Sequence, residues 1–347
     1  MANQHQITEA CELLNPDGTL TNPGYATRPF WKYDRQKIKA PWHRIKEWDY
    51  YAVISQELGY GITFTVADLS YIGLVAICWL DFKKGTFVQT DALTLLPRGR
   101  SDFPASSENG ITCFQNKKFN LSFETSEGKR TLIFDAPEFL SHKGQKGLQG
   151  QIILDQDSKM DSMAIATSWR ENPRAFYYNH KINCMPATGE VSIGGDRFPF
   201  TPENSFGVLD WGRGNWTYRN QWYWGSASGL INGESIGWNL GYGFSDRSVA
   251  SENMVFYRGK AHKLDEVTFQ FDNDDFMKPW RFTSNDGRFE MVMTPTVDRN
   301  SAVNLGLIKS VQHQVFGTFK GDIILDDGSK LHVDNLLGFA EDVLNWW

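Results

Sequence analysis

Apolar residues fall in short runs separated by polar, turn-forming gaps along most of this chain. Trp48 to Ser55, Tyr60 to Asp68 and Tyr71 to Phe82 are β-branched and aromatic runs with short gaps between them, as expected of consecutive strands. Three later pairs of runs flank turn dipeptides. Phe119–Phe123 and Arg130–Asp135 surround Glu127-Gly128, Phe282–Ser284 and Phe289–Met293 surround Asp286-Gly287, and Phe316–Leu325 and Lys330–Val333 surround Asp327-Gly328. Such pairs supply the positive φ of a tight hairpin, Asp-Gly more strongly than Glu-Gly. From Ile236 to Phe244 the even positions are Ile, Trp, Leu, Tyr and Phe, and the odd ones are Gly237, Asn239, Gly241 and Gly243. In a strand these sets face opposite ways. The glycine face leaves room for a ligand or for a neighbouring backbone, with Asn239 as its one polar group.

Helical signals are few. Gly338 to Trp347 fits a short helix with Phe339, Val343 and Leu344 on one face, or equally a closing strand. The first 45 residues carry Pro16-Asp17-Gly18 and Asn22-Pro23-Gly24 too close together for long elements, and predict an extended segment pinned by Phe30, Trp31 and Tyr33. Strands at roughly ten-residue spacing predict an all-β sandwich or up-and-down barrel. A length of 347 residues fits two domains, or one large β domain; for two domains, the glycines around Gly189 and Gly194-Gly195 place the expected boundary near 190, giving 1–190 and 191–347.

Composition narrows the function classes. An aromatic fraction of 14% with 13 Trp suits pleated surfaces and leaves rings to line a cavity. A formal charge of −6 disfavours nonspecific nucleic-acid binding, which needs phosphate-neutralising cations. The longest apolar run, Tyr71 to Leu80, is about half the roughly 20 residues that span a bilayer, so no integral membrane segment is expected. The amino terminus lacks a signal-peptide pattern. Cys11, Cys78, Cys113 and Cys184 form no C-x-x-C pair, which predicts free thiols and a cytoplasmic location. No metal-ligand spacing, dinucleotide cradle or Gly-x-Ser-x-Gly elbow occurs, so neither a metal nor a cofactor is expected.

The densest unusual segment is Phe206 to Phe244, which holds Trp211, Trp216, Trp222, Trp224 and Trp238, with Asp210, Arg213 and Arg219 among them. Indole and guanidinium groups stack, so these residues are candidate ligand contacts, together with Asn239. The competing expectation is a buried, catalytically idle ion pair between Asp210 and the arginines. Asp210 is the candidate acid, with Glu252 and Glu341 as candidate second carboxylates; burial raises such a carboxyl and a neighbouring cation lowers it. His262 and His313 are weaker proton-shuttle candidates.

The run D-W-G-R-G-x-W-x-Y-R-N-x-W-Y-W and the later N-L-G-Y-G-F resemble the bacterial family called domain of unknown function 2804. So do Lys46–Tyr50, Tyr178–Met185, Ser251-Glu252-Asn253, His313-Gln314-x-Phe316-Gly317 and Gly338-Phe339-x-Glu341. That family is distantly similar to a two-domain lipocalin-like group of carotenoid hydratases, tocopherol cyclase and lipocalin-like Diels–Alderases. The resemblance implies two lipocalin-like antiparallel β-barrels or half-barrels packed together, with few short helices. In that group an Asp-x-Glu-Trp motif opens the second domain; here Trp211-Gly212-Arg213 follows Asp210, so the second carboxylate of that motif is missing. The expected function is a hydratase, cyclase or isomerase using acid–base chemistry on an apolar or polyene small molecule. The alternatives are a non-catalytic binder of a lipid or pigment, and a carbohydrate-active enzyme with a sugar-like ligand. The sequence leaves the oligomeric state open.

Overall fold

The computed structural model describes residues 4–304 and 306–347, and the alternating runs form two large antiparallel sheets. In spatial order the first contains Thr86–Leu95, Ile72–Asp81, Tyr60–Asp68, Ile45–Ser55, Ser205–Asn215, Asn172–Ile193, Lys146–Asp155, Lys129–Leu140, Asn120–Ser126 and Gly110–Gln115. Met163–Trp169 and Asp196–Phe200 pair with opposite halves of the long strand Asn172–Ile193. The second sheet runs Lys260–Lys263, Met254–Tyr257, Glu234–Tyr242, Arg219–Ile231, Lys330–Trp346, Lys309–Ile324, Phe289–Asn304, Trp280–Ser284 and Val267–Gln270. Both curl into half-barrels that pack together, and the helical segments among the described residues are the 3-10 turns Arg35–Lys37 and Trp42–Arg44. This is the expected all-β class.

The three predicted hairpins form. Gly128, Gly287 and Gly328 all take positive φ (75°, 70° and 82°). The carboxy-terminal run is the closing strand rather than the helix, because Lys330–Trp346 finds backbone partners on both sides, in Arg219–Ile231 and Lys309–Ile324. The change from one sheet to the other falls between Asn215 and Arg219. A division at 190/191 cuts the first sheet, since Asn172–Ile193 pairs directly with Ser205–Asn215. Asp210-Trp211-Gly212-Arg213-Gly214 therefore lies on the last strand of the first sheet, not in the second.

Each sheet wraps its own apolar core. Tyr51, Phe64, Phe123, Phe134 and Trp211 fill the first, and Trp238, Trp280, Phe282, Phe289 and Phe319 fill the second. Two further clusters lie where the sheets meet: Tyr50, Leu80, Val208, Trp224, Phe316 and Phe339 in one, Met163, Trp169, Tyr177, Trp216, Met254 and Phe256 in the other. Burying each large side chain contributes about 1.5–3 kcal/mol, so sheet-to-sheet packing is a substantial apolar interface.

A β-bulge docks the sheets. The pairing of Asn172–Ile193 with Ser205–Asn215 shifts between Ile182 and Met185, and Cys184 takes φ 59°. Bulges re-aim side chains. The Asn183 amide donates to Ser226 Oγ (2.8 Å) and to the Trp238 carbonyl (2.9 Å), and the Cys184 N–H donates to Ser228 Oγ (2.9 Å). Gly237 meets this bulge closely: a Cβ there would lie 2.5 Å from Cys184 Sγ. On this part of the glycine face the room is taken by the other sheet.

Candidate active site

Between the two interface clusters lies a group of charged side chains that no single sequence segment contains. At its centre is Lys181, on the long strand and almost entirely buried. Its ammonium lies 3.0 Å from Asp210 Oδ2, 3.9 Å from Glu252 Oε2 and 3.8 Å from the centroid of the Trp224 ring. Asp210 and Lys181 are register partners on adjacent strands, so their side chains project to the same side. The other Asp210 oxygen accepts from Asn179 Nδ2 (2.6 Å) and from the Trp48 indole N–H (3.2 Å). These partners suit an anion.

Glu252 comes from the loop between Glu234–Tyr242 and Met254–Tyr257. Flanking residues pin that loop: Asn253 Oδ1 accepts from the Gly241 N–H (2.9 Å), and Lys263 Nζ donates to Ser251 Oγ and to the Asn253 carbonyl (both 2.8 Å). Asn239 donates to the Glu252 carbonyl (3.0 Å) and accepts from the Trp224 indole N–H (2.7 Å). Gly241 gives the carboxylate its space, since a Cβ there would stand 2.3 Å from Glu252 Oε2. The glycine face thus serves both expected uses, admitting backbone at Gly237 and a carboxylate at Gly241. Burial pushes Glu252 up, opposed by Lys181. Its Oε1 has no hydrogen-bond partner.

Glu341 enters from the closing strand, directly opposite Trp224. Gln314 Nε2 donates to its Oε1 (2.6 Å) and lies 2.8 Å from the Tyr50 hydroxyl, while Arg299 donates to Gln314 Oε1 (2.7 Å). Burial raises Glu341 to about 7, against the pull of Lys181 and with the push of Asp210. Glu341 is largely surrounded by protein and keeps some accessible surface. Lys181 therefore acts electrically on Asp210, Glu252 and Glu341 together.

Aromatic rings wall one side. Trp48, whose indole holds Asp210, stacks on Tyr177 (6.3 Å between centroids). Trp216 packs against Trp48, Tyr177, Trp222, Phe244 and Trp347 at 5.1 to 5.8 Å. Asp210 itself is only 8% exposed. Recesses of about 660 Å³ and about 200 Å³ lie elsewhere, the first beside Ile133, Gln149 and Glu190, the second beside Gln56, Phe82 and Asn335.

The structure brings Asp210, Glu252, Glu341, Trp224 and Asn239 together and sets Trp216 and Trp222 in the adjoining aromatic wall. It does not bring Trp211, Arg213 or Arg219 there. Trp211 and Arg213 alternate with Asp210 along the strand and point into the first barrel. Arg213 bonds Asp49 Oδ1 (3.0 Å) and the Trp48 carbonyl (2.8 Å) and lies over the Trp211 ring (3.9 Å). Arg219 is exposed at a strand start, 4.5 Å from the Trp346 ring centroid. The cation beside Asp210 is thus a lysine rather than an arginine. His313 pairs with Asp298 Oδ2 (2.9 Å), and His262 lies 3.3 Å from Asp326 Oδ2. All four cysteines are free. Sequence reasoning missed Lys181 and, around it, Asn179, Trp48, Gln314 and Arg299; the available signal for Lys181 was a lysine inside an otherwise buried strand, in the Tyr178–Met185 stretch.

Two curled antiparallel sheets packed together give the chain a lipocalin-like fold. The chain belongs to the family described as Domain of unknown function (DUF2804), whose model matches residues 4–347. Among solved structures it is similar to CghA (TM-score 0.54, 12% identity, 87% of this chain and 88% of that one covered). It is likewise similar to CghA with Sch210972 (0.53, 13%, 87% and 88%) and to a Nitrosomonas europaea protein assigned as an AttH (0.53, 13%, 91% and 98%). At these identities the likeness is one of fold. No curated protein matches the chain by sequence. No helix among the described residues is long and apolar enough to cross a membrane.

Proposed function

We propose that the Lys181 centre performs acid–base chemistry on an apolar or polyene small molecule held between the sheets, as a hydratase, cyclase or isomerase does. One observation carries the reading: three carboxyl groups gather around one ammonium in a buried site, with Arg299 and Lys263 acting on Glu341 and Glu252 only from beyond salt-bridge distance. A single cation offsets a single negative charge, so burial favours keeping protons on the others. Glu341, raised to about 7, holds a transferable proton near neutrality. Asp210, bonded by Lys181, Asn179 and Trp48, supplies fixed negative charge.

In the proposed step the Glu341 O–H bond breaks as a C–H bond forms on an alkene carbon. The cation that results is stabilised by the anionic Asp210 and the neighbouring indole faces. Water then adds, or a neighbouring C–H loses its proton, and the released proton returns to a carboxylate. Expected site residues in this reading are Asp210, Glu252 and Glu341, with Trp224, Trp222, Trp216 and Asn239 as ligand contacts. A glycosidase fits the Asp210–Glu252 pair less well, because a lysine rather than a sugar ring stands between those two carboxylates.

Native mass spectrometry of protein from its host supplies the ligand, and Asp210→Asn tests the role. On this reading the variant binds that ligand within a few-fold of the parent and loses turnover by about 100-fold or more, on the order of a lost electrostatic stabiliser of the developing cation. A parent protein that returns the ligand unchanged, with the variant altered in affinity alone, establishes a carrier instead.

A further inference from the structure

We infer that one end of the molecule is a docking surface for an anionic lipid bilayer. The inference stands independently of the acid–base reading. Several large apolar side chains at this end face solvent: Leu95 is 77% exposed and Leu307 80%, with Leu93, Leu96, Val303 and Trp42 also exposed. Scattered single leucines need no explanation, but a contiguous group does.

Side-chain and backbone contacts join these residues. The Leu96 N–H donates to the Tyr71 carbonyl, and Leu95 is the register partner of Ile72 next to it. Lys46 lies 4.3 Å from the Tyr71 ring centroid, and Arg44 5.4 Å from that of Tyr218. The Tyr218 hydroxyl donates to the Leu307 carbonyl (2.5 Å). On the neighbouring strands Arg219 and Lys309 lie over Trp346, at 4.5 and 5.1 Å, and Val303 pairs with Ser310 beside Lys309. Arg98 lies over Trp42 at 4.3 Å.

Charge selects the occupant. The whole chain carries −6, yet this end gathers Arg44, Arg98, Arg219 and Lys309. Leucines at loop tips, tryptophan and tyrosine beside them, and cations around the rim match a bilayer interface: apolar groups enter the acyl boundary, rings sit at headgroup level, and arginines meet anionic lipid. The patch adjoins the aromatic wall of the site, since the Trp347 N–H donates to the Tyr218 carbonyl and its ring packs on Trp216 and Trp222. The same packed rings continue to Trp48, whose indole N–H donates to Asp210.

The test is co-sedimentation of the full chain with vesicles of phosphatidylcholine alone and of phosphatidylcholine with phosphatidylglycerol. The parent is expected to bind the anionic vesicles and to be released as salt rises. Arg98→Ala and Arg219→Ala should each weaken binding about fivefold, and Leu95→Ser and Leu307→Ser about tenfold each. These residues are exposed, so unchanged thermal melting confirms that each variant is folded. Absence of vesicle binding overturns the proposal, as does binding indifferent to lipid charge or to these substitutions. A dimer in sedimentation velocity that Leu95→Ser or Leu307→Ser dissociates also overturns it, because a second copy then covers the patch.

Discussion

The strand Ser205–Asn215 carries charge on both faces, and the two faces have opposite characters. Inside the first barrel Arg213 and Arg35 meet Glu47 and Asp49: Arg213 bonds Asp49, Arg35 bonds Glu47, and the Tyr33 and Thr112 hydroxyls donate to Glu47 (2.8 Å) and Asp49 (2.6 Å). Two cations match two anions. On the other face Lys181 lies among three carboxyl groups, with Arg299 and Lys263 acting on Glu341 and Glu252 only from beyond salt-bridge distance. A balanced, hydrogen-bonded network fixes structure. An unbalanced one holds protons near neutrality, which is the requirement for acid–base work.

The largest effect expected from breaking this contrast is at Arg213. Arg213→Met should destabilise the protein by about 3–5 kcal/mol, since it strands Asp49 in an apolar barrel and removes bonds to the Trp48, Gly212 and Pro104 carbonyls. Urea unfolding measures it. A loss below 1 kcal/mol would mean that the network is dispensable.

Lys181→Met comes next, at about 3 kcal/mol at pH 8. Its signature is pH dependence. Without the ammonium, burial raises the carboxyl groups above their unfolded values, so the native state holds more protons and stability falls as pH rises. At pH 5 the loss should shrink to about 1 kcal/mol, because protonation removes the uncompensated charge. Equal losses at both pH values would show that Lys181 matters for packing rather than charge.

Glu341→Gln should stabilise. The folded group titrates at about 7, above the ordinary 4.5, so the parent loses stability as pH rises from roughly 4.5 through 7. The amide removes that slope and gains on the order of 2 kcal/mol at pH 8, with little change at pH 4. His180 slopes the other way. Burial lowers it to about 3, between Ser107 and Ser162, so that stability falls below about pH 6.5 in both proteins. Denaturant midpoints across pH 4 to 8 separate the two contributions.

The sequence makes the strands legible because the chemistry that forms them is local: Ile45–Ser55, Tyr60–Asp68 and the hairpin glycines need only alternation and φ preference. The change of sheet is not legible, since nothing in Gly194-Gly195 reveals that Ser205–Asn215 returns to pair with the long strand. Asp210, Glu252 and Glu341 stand out as acids amid aromatics, but their convergence depends on register across separate strands. Proximity in sequence misleads for Trp211 and Arg213. The same period of two that sorts Ile236 to Phe244 sends them away from Asp210, whereas Lys181 becomes its neighbour through a pairing of strands far apart in the chain.

The mildest perturbation is also the most local. Gly241→Ala introduces a methyl where the Glu252 carboxylate now lies, 2.3 Å from Oε2 and 2.9 Å from Cδ. The φ at Gly241 is outside the left-handed region, so backbone strain does not enter. The glutamate must swing aside, which loosens its approach to Lys181 and Asn239 at a cost of about 1–2 kcal/mol. Gly237→Ala provides the contrast: its methyl would meet the Ala227 carbonyl at 2.6 Å and Cys184 Sγ at 2.5 Å, and backbone yields less readily than a carboxylate. If Glu252 belongs to the proton-holding group, Gly241→Ala also alters the slope of stability against pH between 5 and 8, while Gly237→Ala lowers stability by a similar amount at every pH. Parallel pH profiles for the two variants would place Glu252 outside that group and leave Asp210 and Glu341 as its carboxyl members.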